Sequence, residues 1–192
     1  MQLPIINTTK AVISSVQTVL KQPGRFILSC DVSEQSDAEF IRSSYRRFMR
    51  LRPLVSQRLN VKHVYTNYIA YKYRYEDYEA KRALVLTNRH LLKHDWRLVV
   101  ANSLKFVIQS VDETHNNQDV AMAHRIFKSI LSWQYQLRRS WKSPGEAYTA
   151  YMLSFKHLRT ISSTNELTEK EVTLRLFDQC VVFLNETLKT RL

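Results

Sequence analysis

The sequence predicts an all-α fold: a single bundle of five to six helices preceded by an irregular N-terminal tail. Three observations lead there. Punctuating residues are scarce: Gly24, Gly145, Pro4, Pro23, Pro53 and Pro144 are the only glycines and prolines in 192 residues, so most of the chain lacks what tight turns and sheet corners need. Apolar residues recur at spacings of three and four over long stretches, the period of a helix with one buried face. Finally, Ser36 with Glu39 and Thr168 with Glu171 have the spacing of a capping box, which marks a helix start.

Taken in order, residues 1–35 show no sustained period and contain the breaker Gln22-Pro23-Gly24. They read as an irregular tail with one short helix around Lys10–Leu20, and residues 36–192 as the bundle domain. The first long helix runs from Ser36 to Pro53, with Phe40, Ile41, Tyr45, Phe48 and Met49 on its apolar face. A second, rich in tyrosine, is expected from about Val61 to Arg82. Leu84–His94 adds a short turn, and a third, densely apolar and therefore central helix spans Asp95 to Val111. A fourth opens at Asn116-Asn117 and is stopped after Trp141 by Pro144-Gly145. A fifth covers Glu146 to Arg159, and Ser162-Ser163-Thr164-Asn165 forms a loop. The last begins at Thr168 and lines up Val172, Leu176, Phe177, Cys180, Val181, Leu184 and Leu188.

The charge is uneven. The net charge is +12, and from Arg42 to Lys105 basic residues outnumber the acids Glu76, Asp77, Glu79 and Asp95 by 11. Such a field favours nucleic acid, an anionic membrane surface or an acidic protein partner, and charge alone does not choose among them. No uninterrupted apolar run of about 18 residues exists, so a transmembrane helix is not expected and the chain reads as soluble or peripheral. The first 30 residues carry Lys10, Lys21 and Arg25 and no acid, a composition shared by weak mitochondrial presequences and by uncleaved tails.

The motifs that carry enzyme chemistry are missing: no Gly-rich phosphate loop, HExxH, GxSxG or acidic hard-metal cluster occurs. His90 and His94 have a spacing that places two ligands on one helical face beside Asp95. With no third His or Cys at a recognisable spacing, they read as surface histidines and no metal is expected. Cys30 and Cys180 read as structural. Tyr65, Tyr68, Tyr71, Tyr73, Tyr75 and Tyr78, mixed with Lys72 and Arg74, resemble a base-stacking platform, but at helical spacing they read first as bundle packing.

Two stretches go beyond pattern: Tyr45-Arg46-Arg47-Phe48-Met49-Arg50-Leu51-Arg52-Pro53 and the ending Phe183-Leu184-Asn185-Glu186-Thr187-Leu188-Lys189-Thr190-Arg191-Leu192. Together with Lys81-Arg82, Gln134-Tyr135 and Phe155-Lys156-His157-Leu158, they resemble the increased recombination centers protein 19 family of budding yeasts, from about Tyr45 to Leu192. That resemblance implies a role in maintaining mitochondrial DNA and genome integrity, with a requirement in sporulation and respiratory growth. It implies no catalytic residues. A looser similarity joins Ser44-Tyr45-Arg46 and the downstream Phe48 to the mitochondrial LYR-motif adaptors, with Ser44 where they have leucine. Those adaptors are helical bundles that take the acyl chain of an acyl carrier protein, and basic residues meet the acidic carrier.

The sequence therefore predicts a non-enzymatic helical factor of the mitochondrial matrix, without a cofactor. Its basic face comprises Arg46, Arg47, Arg50, Arg52, Lys72 and Arg74 and binds nucleic acid or an acidic protein. The alternative is an adaptor for acyl carrier protein, with Tyr45, Arg46 and Phe48 at the mouth of an apolar channel.

Overall fold

The computed structural model describes residues 5–14, 18–28, 35–86, 94–112, 118–140, 146–159 and 168–192. Cys30, His90, the Asn116-Asn117 and Pro144-Gly145 breakers, the 162–165 loop and most of the 84–94 turn lie outside them. Seven α-helices occur among the described residues: α1 (Asp37–Val55), α2 (Leu59–Arg74), α3 (Tyr78–Val85), α4 (Trp96–Val111), α5 (Gln118–Ser140), α6 (Glu146–Ser154) and α7 (Glu169–Leu188).

Both capping boxes form. The Ser36 hydroxyl accepts from the Glu39 amide while the Glu39 carboxylate accepts from the Ser36 amide, and Thr168 and Glu171 repeat the arrangement before α7. Each box satisfies two backbone donors that a helix start would otherwise leave open. Asp95 caps α4 through the Arg97 amide. Helix α1 passes through Pro53 and ends at Val55; a proline near a helix end removes one hydrogen bond without breaking the run.

The expectation of an all-α fold is corrected at the N-terminus. In place of an irregular tail with a helix at 10–20 stand three short antiparallel strands in the order β1 (Ile6–Asn7), β2 (Ala11–Ile13) and β3 (Thr18–Leu20). Ala11, Ile13, Thr18 and Leu20 alternate inward, the period of two that a strand gives. The sheet is tied to the bundle at three points: Gln57 donates to the Ile13 carbonyl at 3.0 Å, Thr18 to the Leu54 carbonyl at 3.3 Å, and the Leu20 amide to the Asp112 carboxylate at 3.2 Å. A 3-10 turn at Pro23–Arg25 follows and sends Phe26 into the core.

The helix count is seven rather than five or six because the expected helix 61–82 is two. The chain leaves helical geometry at Tyr75, and the Asp77 carboxylate accepts from the Ala80 amide to start α3. The break buries Glu76, which a continuous helix would not place where it lies. Similarly, α6 stops at Ser154, where Phe155 takes a left-handed backbone (φ 47°), and a 3-10 turn at Lys156–Leu158 buries His157 and Leu158.

Helices α1, α2, α4 and α5 pack on one another around the main core. Phe48 and Leu51 of α1, Tyr65 and Ile69 of α2, Leu104 and Val107 of α4, and Phe127 and Ile130 of α5 meet there. Burying each large side chain contributes roughly 1.5–3 kcal/mol. Tyr65, fully buried, donates to the Phe48 carbonyl at 2.6 Å, so its hydroxyl is satisfied inside the bundle. A second cluster joins Leu137, Tyr148, Met152 and Leu174 of α5, α6 and α7.

Helix α7 turns only part of the expected apolar stripe inward: Val181 is buried and Phe177 and Leu184 pack against the main core. Leu174, Asp178, Val181, Val182 and Asn185 face inward, while Val172, Leu176, Phe183 and Leu188 are exposed, as is Cys180, so the structural reading of that thiol is corrected. The inward face carries two polar residues because the buried Lys81, the His157 ring and a buried backbone turn need their oxygens.

Candidate functional site

Two features of α1 and its surroundings stand out: an outer face of arginines, and an ion network enclosed on the other side beside a cavity. The α1 face follows from helical spacing. Phe40, Ser44, Phe48, Leu51 and Leu54 point into the protein, which leaves Arg42, Arg46 and Arg50, four residues apart, on the exposed side. Arg46 and Arg50 form no ion pair or hydrogen bond among the described residues, and Arg42 lies near the Glu39 charge. At 1.5 Å per residue the three span about 12 Å.

The other four predicted basic-face residues are placed differently. Arg47 is half-buried, and its Nη1 donates to the carbonyls of Arg25 (3.1 Å) and Ile27 (2.6 Å), so it holds the segment carrying Phe26 against α1. Replacing Arg47 by alanine is expected to cost about 1 kcal/mol and to speed proteolysis around residues 23–28, a readout that separates local release from global unfolding. Arg52 is half-buried with a buried Nε, Lys72 is inside the protein, and Arg74 is exposed at the end of α2. Of the Leu-Tyr-Arg-like residues, Tyr45 packs edge-on against Tyr73 with centroids 5.2 Å apart, Phe48 reaches the same ring at 6.0 Å, and Arg46 points away from both.

Lys72 belongs to the ion network. Its ammonium lies 2.8 Å from Glu76 Oε1 and donates to the Leu192 oxygen at 2.9 Å. Lys81 lies 3.6 Å from the same Glu76 oxygen and 2.8 Å from Asp178 Oδ1, and Asp178 Oδ2 meets His157 Nε2 at 2.7 Å. The His157 ring is fully buried and stacked on Tyr151. Burial opposes the Glu76 carboxylate, but Lys72, Lys81 and Arg191 outweigh it and hold its pKa below the usual carboxylate range. Asp178 behaves likewise: burial would raise it, yet Lys81 and the His157 hydrogen bond bring it to about 2. Burial dominates at Lys72, which falls to about 8 against the attraction of Glu76, whereas Asp178 and Glu76 keep Lys81 raised.

The chain's last residues close this network. Lys189 adopts a left-handed backbone (φ 51°) at the end of α7 and turns the chain back. Asn185 Oδ1 then accepts from the Thr190 hydroxyl at 2.9 Å and the Leu192 amide at 2.7 Å, while its Nδ2 donates to the Leu192 oxygen at 3.0 Å. The Arg191 amide donates to Ser103 Oγ, and its guanidinium sits over Tyr78 and donates to the Glu76 carbonyl. Glu186 grips Arg82 with both oxygens, at 2.6 and 2.7 Å.

Between α1, α2, α4 and this returning segment lies a cavity of about 540 Å³. Phe48, Tyr73, Trp96, Val100 and Val107 wall it, and Arg74 and Arg191 reach it. Its volume lies within the roughly 300–1,000 Å³ of small-molecule sites. The two stretches that carry the family resemblance meet here, Phe48 from the first and Arg191 and Leu192 from the second.

A family model described as increased recombination centres protein 19 matches residues 6–192. The chain belongs to that family. Proteins named increased recombination centers protein 19 from Eremothecium gossypii and Vanderwaltozyma polyspora are similar to it, at 34% and 32% identity. The alignments cover 98% and 97% of this chain and 90% and 96% of those proteins. The Saccharomyces cerevisiae S288c protein of the same name is 32% identical over 97% of each chain. No solved structure matches.

The match begins at residue 6, so the family extends over the N-terminal sheet, beyond the reach of the motifs that suggested it. Sequence reading missed the ion network altogether. Lys81 and Asp178 lie on the inward faces of α3 and α7, and Glu76 is buried by the break between α2 and α3. His94, half of the suggested metal pair, lies 3.8 Å from Glu186, and no group of three or more metal-ligating side chains occurs among the described residues. No helix among them is long and apolar enough to cross a membrane.

Proposed function

We propose that this chain is a non-enzymatic factor of genome integrity that maintains mitochondrial DNA from the matrix, and that it acts through the outer face of α1. Loss of mitochondrial genomes then accounts for a part in sporulation and respiratory growth. The relatives' name, which speaks of increased recombination, supports the genome-integrity part. The mitochondrial part rests on the family resemblance and on a first 30 residues without an acid. The observation that carries the mechanism is the exposed Arg42, Arg46 and Arg50 stripe.

Phosphates along one strand repeat at about 3.4 Å of helix axis, so a 12 Å stripe meets about three of them. Contacts of that kind position without reading sequence. Affinity for a DNA duplex is expected to fall with salt at a log–log slope of about −3 and to show little sequence preference. Changing Arg46 and Arg50 together to Glu is expected to weaken binding at least tenfold at low salt, measured by fluorescence anisotropy. Unchanged affinity would refute this mechanism.

The adaptor reading draws on a separate observation: Phe48, and the Tyr73 ring against which Tyr45 packs, line an apolar-walled cavity, while Arg46 stands free outside to meet an acidic carrier. Affinity purification from mitochondria with and without nuclease separates the two. DNA-associated proteins lost on nuclease treatment support genome binding. A nuclease-resistant acyl carrier protein, lost on changing Tyr45 and Arg46 to Ala, supports the adaptor.

A further inference from the structure

The cavity beside the ion network has a chemical character of its own. Its walls are strongly aromatic: Phe48, Tyr68, Tyr73, Tyr75, Tyr78 and Trp96 all reach it. Several of those rings are fixed. The Tyr73 hydroxyl donates to Ser44 Oγ at 2.9 Å, and Trp96 lies edge-on to Phe40 at 5.1 Å with the Arg97 guanidinium over both. Fixed aromatic faces favour a flat aromatic guest, because stacking then costs little further ordering.

The charges at the cavity divide by whether they are already engaged. Among the acids, Glu76 has its side chain closed to solvent and paired with Lys72; Asp77 caps α3; and Glu79 faces Arg82 at 3.4 Å. Lys72 is engaged by Glu76 and Leu192. Two cations remain. Arg74 is exposed and forms no hydrogen bond or ion pair among the described residues. Arg191 is engaged on one side, its Nη2 donating to the Glu76 carbonyl at 3.0 Å and its Nε lying 3.8 Å from Glu76 Oε2, while about a third of its side chain stays exposed. Guanidinium groups match the geometry of phosphate oxygens with paired donors.

From these observations we infer that the cavity is a binding site for an aromatic phosphate of the nucleotide class, the base lying among the aromatic walls and the phosphate meeting Arg74 and Arg191. The site is separate from the α1 arginine stripe and does not rest on nucleic-acid binding there. An alkyl phosphate offers the same anion with a different body, so it distinguishes the aromatic guest from a lipid-like one.

The test is calorimetric titration of the full chain with adenosine 5′-monophosphate, adenosine and decyl phosphate. Saturable binding of the monophosphate with Kd below about 1 mM is expected, with adenosine at least tenfold weaker. Arg74→Glu, on an exposed position, is expected to weaken it at least tenfold. Val100→Phe, which fills the cavity from α4 without touching the ion network, is expected to abolish it, with thermal unfolding confirming that both variants fold. The Arg46 and Arg50 to Glu variant is expected to bind the monophosphate as the unchanged protein does. No heat with the monophosphate at millimolar concentration, binding unaltered in both cavity variants, or tighter binding of decyl phosphate would each overturn the assignment.

Discussion

Replacing Asp178 by alanine is expected to destabilise the protein by about 3–5 kcal/mol, more than the loss of any surface charge. The carboxylate sits between Lys81 and His157 at 2.8 and 2.7 Å with both partners buried, so its removal leaves the His157 N–H without its acceptor and the Lys81 ammonium with only Glu76, 3.6 Å away. Exposed ion pairs are worth about 0–1 kcal/mol by comparison. For a domain of this size, denaturation should move down by roughly 6–20 °C. Asp178→Asn keeps an acceptor for His157 but not the charge opposite Lys81, and is expected to fall between the two. A loss under 1 kcal/mol for the alanine variant would mean that the network is solvated in solution.

The same carboxylate sets the acid limit. Its folded pKa of about 2 lies below the ordinary 3.8, so its contribution of about 2 kcal/mol is complete above pH 4 and is lost as pH falls through 2. The Asp178→Asn variant should lack that part of the acid dependence in urea titrations between pH 5 and 2. On the alkaline side the two lysines oppose each other. The raised Lys81 contributes stability that is lost as pH rises through its folded pKa, whereas the lowered Lys72 is a cost that lifts as pH rises from about 8 towards its ordinary value.

This network also explains what was legible in the sequence. The main helices could be read because their causes are local: capping boxes at Ser36 and Thr168, the cap at Asp95, and continuous apolar periodicity in α4 and α5. The inward stripe of α7 could not, since Asp178 and Asn185 are buried for partners more than 70 residues distant or on a turn that has yet to form. An apolar count assigns such positions to the surface and moves exposed Leu176 and Leu188 inward in their place. Likewise, Arg46 and Arg47 are neighbours in one basic run, yet only the packing of the 23–28 segment decides that Arg47 is engaged and Arg46 free. The cavity was unreadable for the same reason, since Phe48, Arg74, Trp96 and Arg191 meet only when four separate segments have packed.

Deleting residues 1–20 is the second large effect expected, and it turns on the part of the chain whose composition suggested a detachable tail. Ile13 and Leu20 are almost wholly buried and Ala11 is completely so; losing the two large side chains alone removes roughly 4 kcal/mol of burial. The deletion also strips the Leu20 amide from the buried Asp112 carboxylate and the Thr18 hydroxyl from the Leu54 carbonyl, which raises the cost further. Part of this is returned because a short strand segment gives up backbone freedom when it docks. A net loss of about 3–5 kcal/mol is therefore expected, read as a fall of roughly 6–20 °C in the denaturation midpoint. Ile13→Asp separates sheet docking from chain length, since it places one charge under the sheet while keeping every residue; it should release the strands to proteolysis and reproduce most of the loss. If deletion left the midpoint unchanged, the strands would contribute nothing to the bundle, and the reading of residues 1–35 as a tail would stand for its first 20 residues.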